Sequence, residues 1–122
     1  TISNSHFTGN GALRGDGGAV NSAGWLVIDT CTFDNNTAEN GAAVSASGGN
    51  TQLKLSDFTS NVAVNMGGGI MLSADVSASI YNTDFYYNEA GASGGGLGLT
   101  GNATLETVNC TFASNMASSS GA

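Results

Sequence analysis

Five phenylalanines each open the phrase Phe-x-x-Asn-x-Ala, and no Phe stands outside it. The copies are Phe7-Asn10-Ala12, Phe33-Asn36-Ala38, Phe58-Asn61-Ala63, Phe85-Asn88-Ala90 and Phe112-Asn115-Ala117, and the Phe-to-Phe steps are 26, 25, 27 and 27 residues. Self-similarity at such a period marks stacked repeats, in which each unit buries its apolar face against its neighbours. A second phrase completes each of the first four copies: Gly17-Gly18-Ala19-Val20, Gly41-Ala42-Ala43-Val44, Gly67-Gly68-Gly69-Ile70 and Gly94-Gly95-Gly96-Leu97. The fifth copy reaches Gly121-Ala122. Residues 1–122 are therefore expected to form one solenoid segment, an excerpt of a longer array.

Composition decides which solenoid. Helical repeats need helix formers at a 3.6-residue period, whereas these segments are rich in Gly, Ser, Thr and Asn. Leucine-rich repeats need a Leu-x-x-Leu-x-Leu pattern that is absent. With 19 Gly but no Pro and no three-residue Gly period, collagen is excluded as well. An all-β parallel β-helix remains, with about five coils of 25–27 residues and three strands per coil, stacked at roughly 4.8 Å. The lack of Pro fits a fold in which nearly every backbone N–H bonds the neighbouring coil.

Aligning the copies on Phe yields columns. Five residues before it stand Ile2, Ile28, Leu53, Ile80 and Thr107, and two before it Ser5, Cys31, Ser56, Thr83 and Cys110. Both columns are expected inside. His6, Thr32, Asp57, Asp84 and Thr111, one before Phe, and Ser3, Asp29, Lys54, Tyr81 and Val108, four before it, are expected to face water. The resulting break in alternation places a corner at Asn4, Thr30, Leu55, Asn82 and Asn109, where Asn suits left-handed backbone angles. The Phe column is expected to stack along the axis, with the Ala column making room for the rings. Asn10, Asn36, Asn61, Asn88 and Asn115 are expected to form a buried amide ladder, each donating to one neighbouring coil and accepting from the other.

The alternation of Phe-x-x-Asn with Gly-Gly-Ala-Val resembles the repeats of the polymorphic outer membrane proteins of chlamydiae and of related surface proteins. The resemblance covers essentially the whole chain. It implies a right-handed parallel β-helix and a role as a surface-exposed passenger, adhesin or extracellular structural protein.

Charge narrows the partners. Two basic residues, Arg14 and Lys54, stand against nine acidic ones, for a net charge of −7. Nucleic acid and anionic membranes are poor partners for such a chain. No run reaches the roughly 18 apolar residues of a membrane helix, so membrane insertion is not expected.

Candidate chemistry is sparse. Asp57 and Asp84 share an outward column on adjacent coils and are the candidate cation site or carboxylate pair. Without a third carboxylate in that column, a solvated pair is the default. Asp29 and Lys54 are expected to form an exposed ion pair. A lone His6 supports no Ser-His-Asp set, and no catalytic residues, metal or cofactor are assigned. Cys31 and Cys110 lie three coils apart, beyond the roughly 7 Å reach of a disulfide, and are expected to be buried free thiols, with pairing to a coil or chain outside this segment as the alternative. Arg14-Gly15-Asp16, in the turn before Gly17, spells an integrin-type tripeptide and is expected to be incidental. Of three Asn-x-Ser/Thr sequons, Asn35 and Asn102 are the candidates for glycosylation, and Asn109, at a corner, is not. Trp25, Tyr81, Tyr86 and Tyr87 are expected outward, where aromatics serve sugar stacking or protein contact. The Thr-x-Thr ladders of an ice-binding face are absent.

The expected function is a non-catalytic extracellular structural or adhesive β-helix segment of a larger cell-surface or filament-forming glycoprotein. Unpaired coil edges at its ends would join further coils of the same parent or another copy, and glycans or cell-surface proteins are the other expected partners. The alternative is a carbohydrate-binding or carbohydrate-processing β-helix that uses Asp57 and Asp84.

Overall fold

Every coil has to turn sharply and return in register with the one before, and the sequence supplies the residues for this at fixed places. The computed structural model describes residues 1–121; Ala122, the end of the fifth copy, lies outside the described residues. The first coil comprises β1 (Ile2–Ser3), β2 (His6–Thr8), β3 (Gly11–Asp16) and β4 (Val20–Ser22). The second comprises β5 (Leu26–Asp29), β6 (Thr32–Asp34), β7 (Thr37–Asn40) and β8 (Val44–Ser47). In the third, β9 (Asn50–Lys54), β10 (Asp57–Thr59), β11 (Val62–Met66) and β12 (Ile70–Ser73) follow the same path. The fourth runs through β13 (Ser77–Tyr81), β14 (Asp84–Tyr86), β15 (Glu89–Ala90) and β16 (Leu97–Leu99). β17 (Thr104–Val108), β18 (Thr111–Ala113) and β19 (Met116–Ala117) form the fifth.

Equivalent strands pair in parallel and build four sheets. The first is β1-β5-β9-β13-β17, the second β2-β6-β10-β14-β18, the third β3-β7-β11-β15-β19 and the fourth β4-β8-β12-β16. The architecture is thus the expected parallel β-solenoid, with four complete coils and a fifth that enters three sheets. Each complete coil has four strands where three were expected. The extra corner lies two residues after Phe, at Gly9, Asn35, Ser60, Tyr87 and Ser114, all with φ between +54° and +66°. Ser and Tyr rarely adopt that backbone, so their identity carries no hint of the bend. The corner three residues before Phe is as expected: Asn4, Thr30, Leu55, Asn82 and Asn109 have φ between +48° and +54°. The N–H groups of the first four donate to the next coil, as from Thr30 to the Lys54 carbonyl at 3.0 Å.

Register follows the columns. Ile28 pairs with Leu53 and Leu53 with Ile80, Phe33 with Phe58 and Phe58 with Phe85, and Ala38 with Ala63 and Ala63 with Ala90. Differences in repeat length are absorbed in two places, between the fourth sheet and the first and where the chain leaves the third sheet. Four residues separate Ala12 from Gly17, but two separate Ala38 from Gly41, and the pairing there shifts between Ala12 and Asp16. Such a bulge lets the interior columns stay aligned.

Inside, successive Phe rings stack with centroids 4.6–4.9 Å apart and planes within 2–11° of parallel. Phe33, Phe58 and Phe85 are fully buried beside Ile28, Leu53, Ile80, Val44 and Ile70. Thr107 keeps its pairing with Ile80 but is exposed on the fifth coil.

Candidate functional site

The interior polar groups account for the repeat signature. The Asn36 Oδ1 accepts from the backbone N–H and the Nδ2 of Asn10, at 3.0 and 2.9 Å. Its Nδ2 donates to the Asn61 Oδ1 at 2.9 Å and to the Phe7 carbonyl at 3.0 Å. Asn61 repeats the pattern with Asn36, Asn88 and Phe33, and Asn88 with Asn61, Asn115 and Phe58. Each buried amide thus uses both donors and both acceptor positions, as a carboxamide on a stacked coil can and an aliphatic side chain cannot.

A second column, the one expected inside two residues before Phe, makes hydrogen bonds that were not foreseen. Two residues before each Phe, the hydroxyl or thiol donates to the carbonyl two residues earlier, across the left-handed corner. Ser5 bonds Ser3 at 2.8 Å, Ser56 bonds Lys54 at 2.8 Å and Thr83 bonds Tyr81 at 2.9 Å. Cys31 bonds Asp29 at 3.3 Å and Cys110 bonds Val108 at 3.4 Å. The signal was present: all five are short donors. Both thiols are free, with Cys31 buried as expected and Cys110 only partly so.

Outward, the second sheet carries the candidate carboxylates. His6, Thr32, Asp57, Asp84 and Thr111 pair in register along one column. Asp34, Thr59 and Tyr86 line the next, and the two columns bound a shallow depression shared by His6, Thr32, Asp57 and Tyr86. His6 bonds the Thr32 and Thr8 hydroxyls. Partial burial, and then the charge of Asp84, push the Asp57 carboxyl above its ordinary value. Among the described residues no three His, Cys, Asp or Glu side chains gather around a common point suited to a metal.

The other candidates fall at separate places. Lys54 Nζ lies 3.2 Å from Asp29 Oδ2, and the hydrogen bond from Thr30, followed by that from Lys54, lowers the Asp29 pKa. Arg14-Gly15-Asp16 ends strand β3, at the bulge, instead of forming a turn; Asp16 accepts from the Asn40 Nδ2 at 2.9 Å. Asn35 and Asn102 are exposed, with their amides held by Asp34 at 2.8 Å and Asp75 at 3.0 Å. Asn109 is also exposed and bonded to Asn82, and since Asn35 stands at a left-handed corner as well, the corner does not set Asn109 apart from it as the sequence suggested. Trp25 and Tyr87 are strongly exposed, and Tyr81 and Tyr86 partly so, with the Tyr81 hydroxyl donating to Glu106 at 3.2 Å. An aliphatic patch of Leu13, Val62 and Val64 on the third sheet had not been read from the sequence.

Comparison with known families supports the resemblance at one repeat. Residues 30–47 match the Chlamydia polymorphic membrane protein repeat, a stretch that runs from the corner at Thr30 through Phe33, Asn36 and Ala38 to β8. No curated protein and no solved structure matches the chain.

Proposed function

We propose that this chain is a non-catalytic structural and adhesive segment of an extracellular or cell-surface β-helix protein. The observation that carries the reading is the contrast between the two sides of the wall. The inward Phe, Asn and Ala columns repeat in every coil, whereas the outward column reads His6, Thr32, Asp57, Asp84, Thr111. A scaffold with a fixed interior and a freely varying exterior displays different chemistry on each coil, which suits surface presentation. The match of residues 30–47 to a membrane protein repeat supports the same reading.

Coil-on-coil continuation belongs to the proposal. Every strand pairs in parallel with its counterpart on the neighbouring coil, so a further coil, from the same parent or a second copy, would extend each sheet by one more rung. Antibody raised against the folded segment should label intact cells of the producing organism; labelling only after permeabilisation would overturn the surface assignment.

The register of Asp57 and Asp84 favours a second reading, a carbohydrate-binding or carbohydrate-processing face. Release of reducing sugar from oligosaccharides by the purified chain, abolished in Asp57→Asn, would establish that reading and displace the first.

A further inference from the structure

Trp25, the chain's single Trp, precedes β5 and is 79% exposed on the outer face of the first sheet. Leaving so large an apolar ring in water forgoes the stabilisation that its burial contributes, and a ligand laid over it would recover that stabilisation. The indole borders a groove whose outward side chains are Val27, Asn50, Gln52, Ser77 and Ser79. Although the chain carries a net charge of −7, no charged side chain lines this groove among the described residues.

The polar groups stand in order. Asn50 pairs with Ser77 and Gln52 with Ser79, while Val27 precedes Gln52 in its column. Amides and hydroxyls therefore project from neighbouring rungs of a rigid sheet, roughly 4.8 Å apart. Gly49, with φ +71°, packs its backbone against Gly24 and Trp25; a Cβ there would meet the Gly24 carbonyl carbon at 3.0 Å. The turn beside Trp25 thus has no side chain to lay over the indole.

A binding site for a protein would be expected to surround its aromatic anchor with further apolar groups or Arg. Here the ring has one aliphatic neighbour and several uncharged donors and acceptors. That mixture complements a molecule with an apolar face and hydroxyl-bearing edges. We propose that the groove beside Trp25 binds a neutral oligosaccharide, with a sugar ring stacked on the indole and its hydroxyls bonded by Asn50, Gln52 and the two serines. The proposal supplies a partner class for the adhesive reading and rests on it only for biological purpose; the binding itself is independent of where the protein resides.

The lone Trp makes the test direct. Purified chain is titrated with cellohexaose, maltohexaose and N-acetylchitohexaose to about 10 mM, followed by Trp fluorescence and by calorimetry. A saturable spectral change with at least one sugar is expected. Calorimetric affinity should fall at least about tenfold in Trp25→Ala and severalfold in Gln52→Ala, and stay unchanged in Leu13→Ser, which alters the third sheet. Thermal melts of the Trp25 and Gln52 variants that match the parent exclude unfolding as the cause. No saturable change with any of the three sugars would overturn the proposal, as would undiminished binding in Trp25→Ala. Fluorescence quenching by a protein ligand with none by the sugars would assign the groove to protein contact and overturn it equally. Failed labelling of intact cells would count against the surface reading alone.

Discussion

The Asn61 side-chain amide donates to the Asn88 Oδ1 at 2.9 Å, one coil away, while its second hydrogen bonds the Phe33 carbonyl at 3.0 Å in the opposite direction. One residue thus joins three coils through buried bonds. Asn61→Leu has nearly the same volume but removes every partner: the Phe33 carbonyl, the Asn36 N–H and the Asn88 oxygen all lose a bond away from water. A single stranded polar group costs about 1–3 kcal/mol, so the variant is expected to lose about 3 kcal/mol or more. A thermal or urea melt superimposable on the parent's would refute the ladder's role in stability.

The rung that joins Asp57 to Asp84 gives a pH dependence of opposite sign to that of most carboxylates. Burial and the neighbouring charge raise the Asp57 pKa above its ordinary 3.8 in the folded chain. The folded state therefore holds this proton more tightly than the unfolded state, and the associated stability, full below pH 3.8, is lost as pH rises through the folded value. Asp57→Asn should consequently be more stable than the parent at pH 7, and the difference should shrink as pH falls toward 3.8. Asp29 works the other way: its lowered pKa favours the fold above 3.8 and that contribution fades in acid. Denaturant melts of parent, Asp57→Asn and Asp29→Asn between pH 3 and pH 7 separate the two contributions; equal stability of parent and Asp57→Asn at pH 7 would refute the first.

At Gly67 the main chain has φ +67°, and an added Cβ would lie 2.4 Å from the Ile70 carbonyl oxygen. Its column, Gly17, Gly41, Gly67, Gly94 and Gly121, is left-handed throughout. The following position holds Ala42 in the second coil but Gly18, Gly68 and Gly95 elsewhere, where an added Cβ would lie 2.2–2.3 Å from a carbonyl oxygen of the next coil. Gly67→Ala combines strained backbone with a clash against main-chain atoms and should cost about 1–3 kcal/mol or prevent folding. Native-like melting of this variant would show that the corner can relax.

The coil was legible because its inward positions recur. Phe33, Phe58 and Phe85 fall in register, and the corner at Thr30 and Leu55 could be placed from the broken alternation of Ile28, Cys31 and Phe33 without help from residue type. The second corner was not legible, since Ser60 and Tyr87 are ordinary residues forced left-handed by the coil's closure. Sites were harder to read than the fold. Trp25 was recognisable as an exposed ring, but its polar neighbours Asn50 and Gln52 lie 25 and 27 residues away and meet it only through parallel pairing. Arg14-Gly15-Asp16 read as a turn because Gly follows it, whereas the extra residues of the first repeat are taken up by a bulge in β3.

Cys31 and Cys110 occupy equivalent positions and make equivalent bonds, yet differ in access: Cys31 is covered by coils on both sides, and Cys110 is partly open. A thiol reagent needs the sulfur to be reachable and at least transiently ionised. In the native chain, Cys110 is therefore expected to react with an aromatic disulfide reagent well before Cys31, which should become reactive only on unfolding. Urea should then equalise the two rates. Cys31→Ser should fold with a stability within about 1 kcal/mol of the parent, because Ser5 and Ser56 hold the same column with the same bond to the carbonyl two residues back. Mass spectrometry of briefly labelled native protein decides the matter: modification confined to Cys110 fits the burial difference, and equal early modification of Cys31 would mean that the interior of the second coil opens readily.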